Sequence, residues 1–447
     1  MIPDLRSTAN RWEEANSRRP IAAVDTKAQW LKRAVWAYFF LLIFEGALRK
    51  WVLPSLATPL LIIRDPIALW AVVVTWRRGI IAPNIYLTGM VVIAVSSIIT
   101  ATLLGHGNLF VALYGARIFL LHFPLIFVIG RVFTREDVIS MGKVTLWIAI
   151  PMVLLVAMQF FSPQSAWVNQ GIGGSEGEGF MGAMGFFRPP GTFSFTSGNA
   201  SFFSFVALFV FYFWLDNKAI NKLFLAAATA ALLLSVPLSI SRTLLFQIVI
   251  SLVFVLIASA RKPENLGRML VTVAGGILVL SLLGQSSFFS TATEAFTSRF
   301  EDANEIEGGL EGVFLDRFLG GLIGALTGSA SGLPFFGYGI GMGTNVGSML
   351  LTGTTVFLIS EGEWGRVIGE LGPLLGLAVV FLRLGLAAEI SWACYKKLTQ
   401  GDLLPWLLLS FGLLSLVQGG WAQPTSLGFC TLTGGLMIAS LRSLKQT

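Results

Sequence analysis

Charge is scarce in this 447-residue chain. Asp, Glu, Lys and Arg make up 12% of it, while 55% is hydrophobic and the mean hydropathy is +0.76. A soluble domain of ordinary usage is about a quarter charged. This chain therefore has too few polar side chains to clothe a water-exposed body of its length. Cysteine is nearly absent: Cys394 and Cys430 are the two, which excludes a disulfide framework and a cysteine metal cage. Histidine is equally rare, with His106 and His122 alone. No internal repeat of 20–50 residues is evident, which argues against the repeat-built secondary transporters. No small-residue cleavage site follows a short apolar core, so a removed signal peptide is not expected. What is abundant is apolar: 36 Phe, 13 Trp and 48 Gly, the glycines lying inside apolar stretches as they do in membrane helices. The chain reads as an all-α, polytopic integral membrane protein. Its net charge of +7 is then a topology signal and not a nucleic-acid footprint.

A spanning helix needs roughly 20 mostly apolar residues. The hydropathy pattern predicts about twelve, near 34–53, 57–76, 83–104, 109–130, 138–161, 200–215, 222–240, 243–260, 268–284, 366–392, 402–421 and 425–441. Residues 1–33 form a basic segment before them. With sides alternated, Arg77 and Arg78, Arg131 with Arg135, Lys218 with Lys222, Arg261 with Lys262, Lys396 with Lys397, and Arg442 with Lys445 all fall on the N-terminal side. The bias of Lys and Arg toward the cytoplasm then places both termini inside. The chain divides into the segment 1–33, nine spans over 34–284 with an outer loop at 162–199, a long outer loop at 285–365 with short helices expected at 310–327 and 345–358, and three spans with a short tail over 366–447.

A second set of charges has no topological duty. Glu45, Arg49 and Lys50 end the first span in FEGALRKW, and Arg64-Asp65 stands before Pro66 in the second. Arg117 lies in the fourth span, with His122 beyond it. A charge at mid-span costs at least roughly 2.5–3.5 kcal/mol, so each is a functional candidate. The bland alternatives are an i,i+4 pair for Glu45 and Arg49, a local pair for Arg64 and Asp65, and a satisfied core histidine for His122. Arg117 needs either an acidic residue from another helix or an anionic ligand. On the outer side, Arg188, Arg242, Arg299, Arg317 and Arg366 defy the charge bias together. Arginine stays charged and grips phosphate oxygens in a bidentate fork. As a set they point to an anionic, phosphate-bearing partner at headgroup level; singly, each is open to pairing with a loop carboxylate or a lipid.

The stretch 334–376 is the most informative. LPFFGYGIGMGTNVG alternates Gly337, Gly339, Gly341 and Gly343. It lacks GK[ST] and so is not a phosphate-binding Walker loop; its expected use is tight turning and close backbone approach. In EGEWGRVIGELGPLLG, Glu363, Arg366 and Glu370 share a helix face at i, i+3 and i+7. A carboxylate beside an arginine at the membrane boundary suits acid–base work next to a bound anion, and equally a helix-entry salt bridge. Glu361 is the next carboxylate in line.

At these residues the sequence resembles the O-antigen ligase and O-antigen polymerase superfamily of bacterial membrane glycosyltransferases. SISRT at 239–243 is similar to that family's Ser-Arg at the outer end of a middle span. DRF followed by LPFFGYGIGMG is similar to its loop arginine followed by P-x-x-G-x-G, and ELGPLLG at 370–376 to its E-x-G-x-x-G. The resemblance covers roughly 185–380. It implies a metal-independent glycosyltransferase with no cofactor and no nucleotide sugar. Such an enzyme works on the periplasmic face and transfers an undecaprenyl-pyrophosphate-linked glycan to a hydroxyl of a glycan or lipid acceptor. Arg242 and Arg317 fall on the motif arginines, Arg188 only by location. The ligases carry a histidine before E-x-G; this chain has Glu361, Glu363 and Trp364 there, which favours a polymerase or an exopolysaccharide relative. The expected site is then Arg242, Arg317 and Glu363 as catalytic groups, with Arg188, Arg299, Arg366, Glu361 and Arg117 on the substrate. Membrane lipids and other polysaccharide-assembly proteins complete the expected partners. Two other classes remain open: a transporter or flippase for an anionic lipid-linked glycan, and a non-catalytic subunit of a polysaccharide export complex.

Overall fold

A computed structural model describes residues 26–175, 179–216, 220–261, 267, 287–307, 333–354 and 356–442. The described residues are mostly helical. Thirteen helices concern us among the described residues. They are α1 (Thr26–Ala47), α2 (Asp65–Arg77), α3 (Ile85–Leu103), α4 (Leu109–Val132), α5 (Arg135–Phe161), α6 (Thr196–Leu215), α7 (Lys222–Leu238), α8 (Arg242–Ala260), α9 (Ser287–Glu307), α10 (Asn345–Thr352), α11 (Glu363–Thr399), α12 (Leu404–Gln418) and α13 (Pro424–Ser440). A two-residue antiparallel hairpin pairs β1 (Phe180–Met181) with β2 (Phe187–Arg188). Among the described residues seven helices are long and apolar enough to cross a membrane, the first running from Pro54 through α2, and α7 and α12 are shorter apolar helices. The expected span 268–284 and the expected short helix 310–327 lie outside the described residues.

Burial sorts centre from periphery. The apolar windows of α4 and α6 are 78% buried, against 28% for α3 and for the helix through α2. The reason is in their sequences. α6 is apolar on every side, FFSFVALFVFYFWL, and a helix hydrophobic all round belongs in a core; Phe202, Phe203, Phe205 and Phe209 are fully buried. α3 turns Val92, Val95 and Ile99 outward, which lipid tolerates and water does not. α13 lies along α4, α12 and α6 and is buried over nearly its whole length.

The helices meet at two distinct ends. At one, Lys32 pairs with Asp137, Arg135 with Asp402 at 2.6 Å, and Arg442 donates to the Phe133 carbonyl at 3.1 Å. We call this the basic end. At the other, Arg49 donates to Ser194 Oγ at 2.9 Å, Lys50 to the Gly191 carbonyl at 2.8 Å, and Trp51 to the Trp167 carbonyl at 3.0 Å. We call this the loop end. FEGALRKW thereby gains a structural duty: it grips the segment that leads into α6. Gly46 is required for it, because a Cβ there would sit 2.4 Å from the Thr192 carbonyl.

Three elements differ from the sequence reading. The stretch 287–307, expected inside a loop, is a helix. Its Ala292 and Ala295 are fully buried, with Phe289 and Phe296 against the core, an i, i+3, i+7 pattern that polar neighbours masked. The expected short helix 345–358 ends at Thr352, where Gly353 takes a left-handed φ of 74°. The helix expected at 366–392 lies within α11 but is not straight. α11 breaks at Gly372 (φ 75°, ψ 173°) before Pro373. A straight helix of 37 residues would be about 55 Å long, well over the ~30 Å hydrocarbon core. Instead Glu363–Leu371 folds back on the rest, and a Cβ on Gly376 would meet Ile368 Cα at 2.8 Å.

The break explains the glycine-rich loop. Pro373 has no N–H, so the Gly369 carbonyl loses its helical donor. Tyr338 N–H supplies one at 2.9 Å, and Gly339 N–H serves the Glu370 carbonyl at 3.0 Å. A Cβ on Gly337 would sit 2.5 Å from that carbonyl, and one on Gly341 2.2 Å from the Val111 carbonyl, with φ of 72° and 92°. Gly341→Ala is expected to lower stability by roughly 2 kcal/mol or more, since left-handed strain alone costs about 1–2 and the backbone carbonyl cannot move aside. Thermal unfolding in detergent checks this; an unchanged midpoint would contradict the close approach.

Candidate active site

The outer arginines of the sequence are partly gathered at the loop end. Arg188 ends the hairpin, Arg242 opens α8, and Arg299 lies in α9. Burial, and then the like charges of Arg299 and Arg242, hold the Arg188 guanidinium below the ordinary arginine range. Its Nε is buried without a hydrogen-bond partner. Arg299 Nη1 donates to the Gly182 carbonyl in the same hairpin at 3.3 Å, and the Arg188 stem packs on Gly182. Phe246 and Phe300, 6.0 Å apart, hold α8 and α9 together beside them. Three cations from three elements thus share one place, and the repulsion that Arg188 feels there falls when an anion joins them.

The backbone there is strained as well. Ile240 (φ 46°) and Met184 (φ 52°) have positive φ; one is in SISRT and the other in the hairpin turn. Positive φ is a genuine outlier for a β-branched residue. Ile240 Cδ1 would touch a Cβ added to Gly182 at 2.8 Å, so it wedges the α7–α8 turn against the hairpin. Ser241 caps α8, accepting from Leu244 N–H, and Arg242 follows as the first helical residue. Strain of this kind, beside a gathering of like charges, is a mark of a functional site.

A second constellation joins the glycine-rich loop to α11–α13. Glu363 receives both Nε and Nη2 of Arg366 at 3.0 and 2.9 Å. It also receives Arg383 Nη1 at 2.6 Å and the Trp421 backbone N–H at 3.1 Å. Arg366 also donates to Glu370 at 2.7 Å, whose other oxygen accepts Gly343 N–H at 2.8 Å. Arg383 donates to the Leu416 and Gly419 carbonyls and lies 3.8 Å over the Trp421 ring. All four charged residues are buried. Arg383 went unnoticed in the sequence because it is 20 residues from Glu363, about 30 Å along a straight helix. The signal was there, a lone arginine inside an apolar run, but its partner is visible only once the helix breaks.

A third constellation fills the interior. Arg64 donates to Glu45 at 3.1 Å and to the Pro424 carbonyl at 2.7 Å. Asp65 accepts Arg117 Nη1 at 2.9 and 2.7 Å. The two His122 ring nitrogens lie 3.0 Å from Asp65 and 2.9 Å from Tyr38 Oη. A π turn at Ile118–His122, with its i→i+5 pattern, brings positions 117 and 122 onto one face to reach the same carboxylate. Arg64 and Asp65 therefore do not form the isolated local pair considered from sequence. Glu45 lies nearer Arg64 than Arg49, which is 3.6 Å away. Arg117 meets an acidic residue from another helix, and His122 is a satisfied core histidine.

The expected site residues thus separate. Arg188, Arg242 and Arg299 come together. Glu363 and Arg366 belong to the buried network, and Arg117 to the interior cluster. Glu361 is exposed just before α11. Arg317 lies outside the described residues. Sequence reasoning passed over Arg383, and over Tyr38, a neutral residue that joins the interior cluster. No protein-family model matches this chain, and no curated protein matches it significantly.

Proposed function

We propose that this chain is a membrane glycosyltransferase that polymerises or transfers glycan units carried on undecaprenyl pyrophosphate, in O-antigen or exopolysaccharide assembly. The observation that carries the reading is the convergence of Arg188, Arg242 and Arg299, with the Arg188 Nε buried and unpartnered. It supports a site for a multiply charged anion at the loop end. In the proposed reaction the acceptor hydroxyl oxygen attacks the anomeric carbon. The bond from that carbon to the pyrophosphate oxygen breaks, undecaprenyl pyrophosphate departs with the electron pair, and the hydroxyl proton passes to a carboxylate. Fixed cations aimed at the departing charge help the transition state most.

The geometry favours Glu361 over Glu363 as the proton acceptor. Both oxygens of Glu363 are committed to arginines and a backbone N–H, and the residue is 6% exposed. Glu361 is open to the surface. Glu363 then positions the fold-back of α11, and Arg366 with it. Arg117 leaves the substrate list, because Asp65 occupies it. The flippase reading, which wants charges through the full depth, loses support for the same reason: the interior charges are bonded to one another.

The proposal includes about twelve crossings, with the basic end in the cytoplasm. Reporters fused after Phe180 and after Ser360 are expected to read extracytoplasmic; a cytoplasmic reading at both would overturn the orientation. The activity is tested with purified protein in liposomes and an undecaprenyl-pyrophosphate-linked oligosaccharide, following chain growth and release of undecaprenyl pyrophosphate. Neither product appearing under any acceptor tried would overturn the enzyme reading.

A further inference from the structure

Helix α12 is too short to cross a bilayer. It has 15 residues, about 22 Å of helix, against a hydrocarbon core of ~30 Å. It starts at the basic end, so its turn into α13 stops short of the outer boundary. Arg383 fixes the level of that turn, because it donates to the Leu416 and Gly419 carbonyls at 2.9 and 3.0 Å. Along α11, Arg383 stands about 15 Å from the break at Pro373 and about 20 Å from Lys396 at the basic end. The α12–α13 turn is therefore recessed by about 15 Å from the tip of the α11 fold-back.

The chain descends to the same level just before α11. Glu363 accepts from Arg383 Nη1 at 2.6 Å, and Glu361, two residues earlier, lies within about 7 Å of it along the chain. Residues 356–362 are irregular, and Glu361 and Gly362 are exposed. No N–H group from Phe357 to Glu361 has an acceptor among the described residues. Irregular backbone at membrane depth is either buried in protein or lines water, and this stretch is not buried. A carboxylate facing lipid there would be costly, so the exposed face of Glu361 meets water. Across the turn, Gln423 is exposed, and a Cβ on Gly420 would meet no atom within 4 Å. The arginine trio shares this level. Helix α8 runs antiparallel to α12, with Gln247 Nε2 on the Ser410 carbonyl at 2.8 Å. Arg242 lies about 7 Å from that contact toward the loop end, and Gln418 about 12 Å. Both α8 and α11 pack on α12, so the trio and Glu361 flank one turn.

We propose that the loop end holds a water-filled recess reaching about halfway into the ~30 Å core, with the α12–α13 turn as its floor, and that it admits the acceptor glycan end-on, bringing a terminal hydroxyl to Glu361. The hydroxyl-rich end of a glycan is polar and reaches this depth only through water. Ser197 and Gln423, whose side chains meet at 3.5 Å, and the free peptide groups before α11 offer donors and acceptors to its hydroxyls. The choice of occupant rests on the transferase reading; the recess does not.

Cysteine labelling of the full chain in proteoliposomes tests both. A charged, membrane-impermeant methanethiosulfonate added on the loop side is expected to modify Glu361→Cys and Gln423→Cys roughly 100-fold faster than Phe381→Cys, because reaction needs a thiolate and therefore water. Phe381 lies on α11 at the depth of Arg383 and is 68% exposed, where lipid covers it. Buried Cys394 and Cys430 set the background, and melting temperatures confirm that the variants are folded. The undecaprenyl-pyrophosphate-linked oligosaccharide is expected to slow modification of Glu361→Cys roughly tenfold when present at about ten times its Kd, and bare undecaprenyl pyrophosphate is expected not to. Modification of Glu361→Cys as slow as that of Phe381→Cys would overturn the recess. Equally fast modification of both would put this level outside the bilayer and overturn it too. No protection, or equal protection by the bare lipid, would overturn the glycan as occupant. Fast labelling without any chain growth would count against the transferase reading alone and leave the recess standing.

Discussion

Arg188→Ala is expected to reduce glycan transfer by about 100- to 1000-fold, the cost of removing one preorganised donor to a developing anion. The same change is expected to leave the melting temperature unchanged or raise it. Arg188 is pressed by burial and by two like charges, and its Nε is buried without a partner. Removing it relieves repulsion and desolvation in the unliganded protein. Loss of function with no loss of stability is the signature of a site whose strain is completed by a ligand. Arg188→Lys is expected to recover little, because an ammonium offers a point charge where the guanidinium offers a fork. Chain growth from a lipid-linked donor, measured beside thermal unfolding, decides the matter. Wild-type turnover in Arg188→Ala would remove Arg188 from the site, and a large fall in melting temperature would make it structural.

The parts of this molecule legible in the sequence were those set by local rules. Span positions follow from apolar length, so α3 through α8 fall where hydropathy places them. Asking which cations lack a topological duty singled out Arg188, Arg242 and Arg299 among five outer arginines, but not that these three meet. What sequence left open was every partnership across the fold. The FEGALRKW segment had no role until Lys50 met the Gly191 carbonyl and Arg49 met Ser194. Arg117 needed a partner of unknown origin, and Asp65 supplied it only because a π turn shifts the phase of α4. Gly337 and Gly341 announced close backbone approach without saying to what. For Gly337 the answer depends on Pro373 removing a donor some 30 residues later in the chain, and for Gly341 it is the Val111 carbonyl of α4. Helix α9 was missed because its charges and hydroxyls hide a narrow buried stripe.

The largest effect on stability is expected at Glu363. Glu363→Gln removes the one charge that faces both Arg366 and Arg383. Arg366 keeps Glu370. Arg383 keeps two carbonyls and an indole ring but no carboxylate. Breaking a buried ion network by deleting one partner costs roughly 3–5 kcal/mol, because an uncompensated charge stays buried. The consequence reaches the whole loop end, since Glu363 also receives the Trp421 N–H and holds the fold-back on which Tyr338 and Gly339 hang. Arg383→Met alone leaves Glu363 with Arg366 and is expected to cost less. Combined with Glu363→Gln, it removes the stranded cation and is expected to return about 1–3 kcal/mol of the loss, the usual coupling of contacting residues. The opposite pattern would identify a general base: Glu363→Gln would then keep full thermal stability, bind the lipid-linked donor normally and fail only in turnover. Unfolding curves for the two single variants and the double variant, read beside turnover, separate the two roles. Additivity of the two substitutions would show that Glu363 and Arg383 are not a pair.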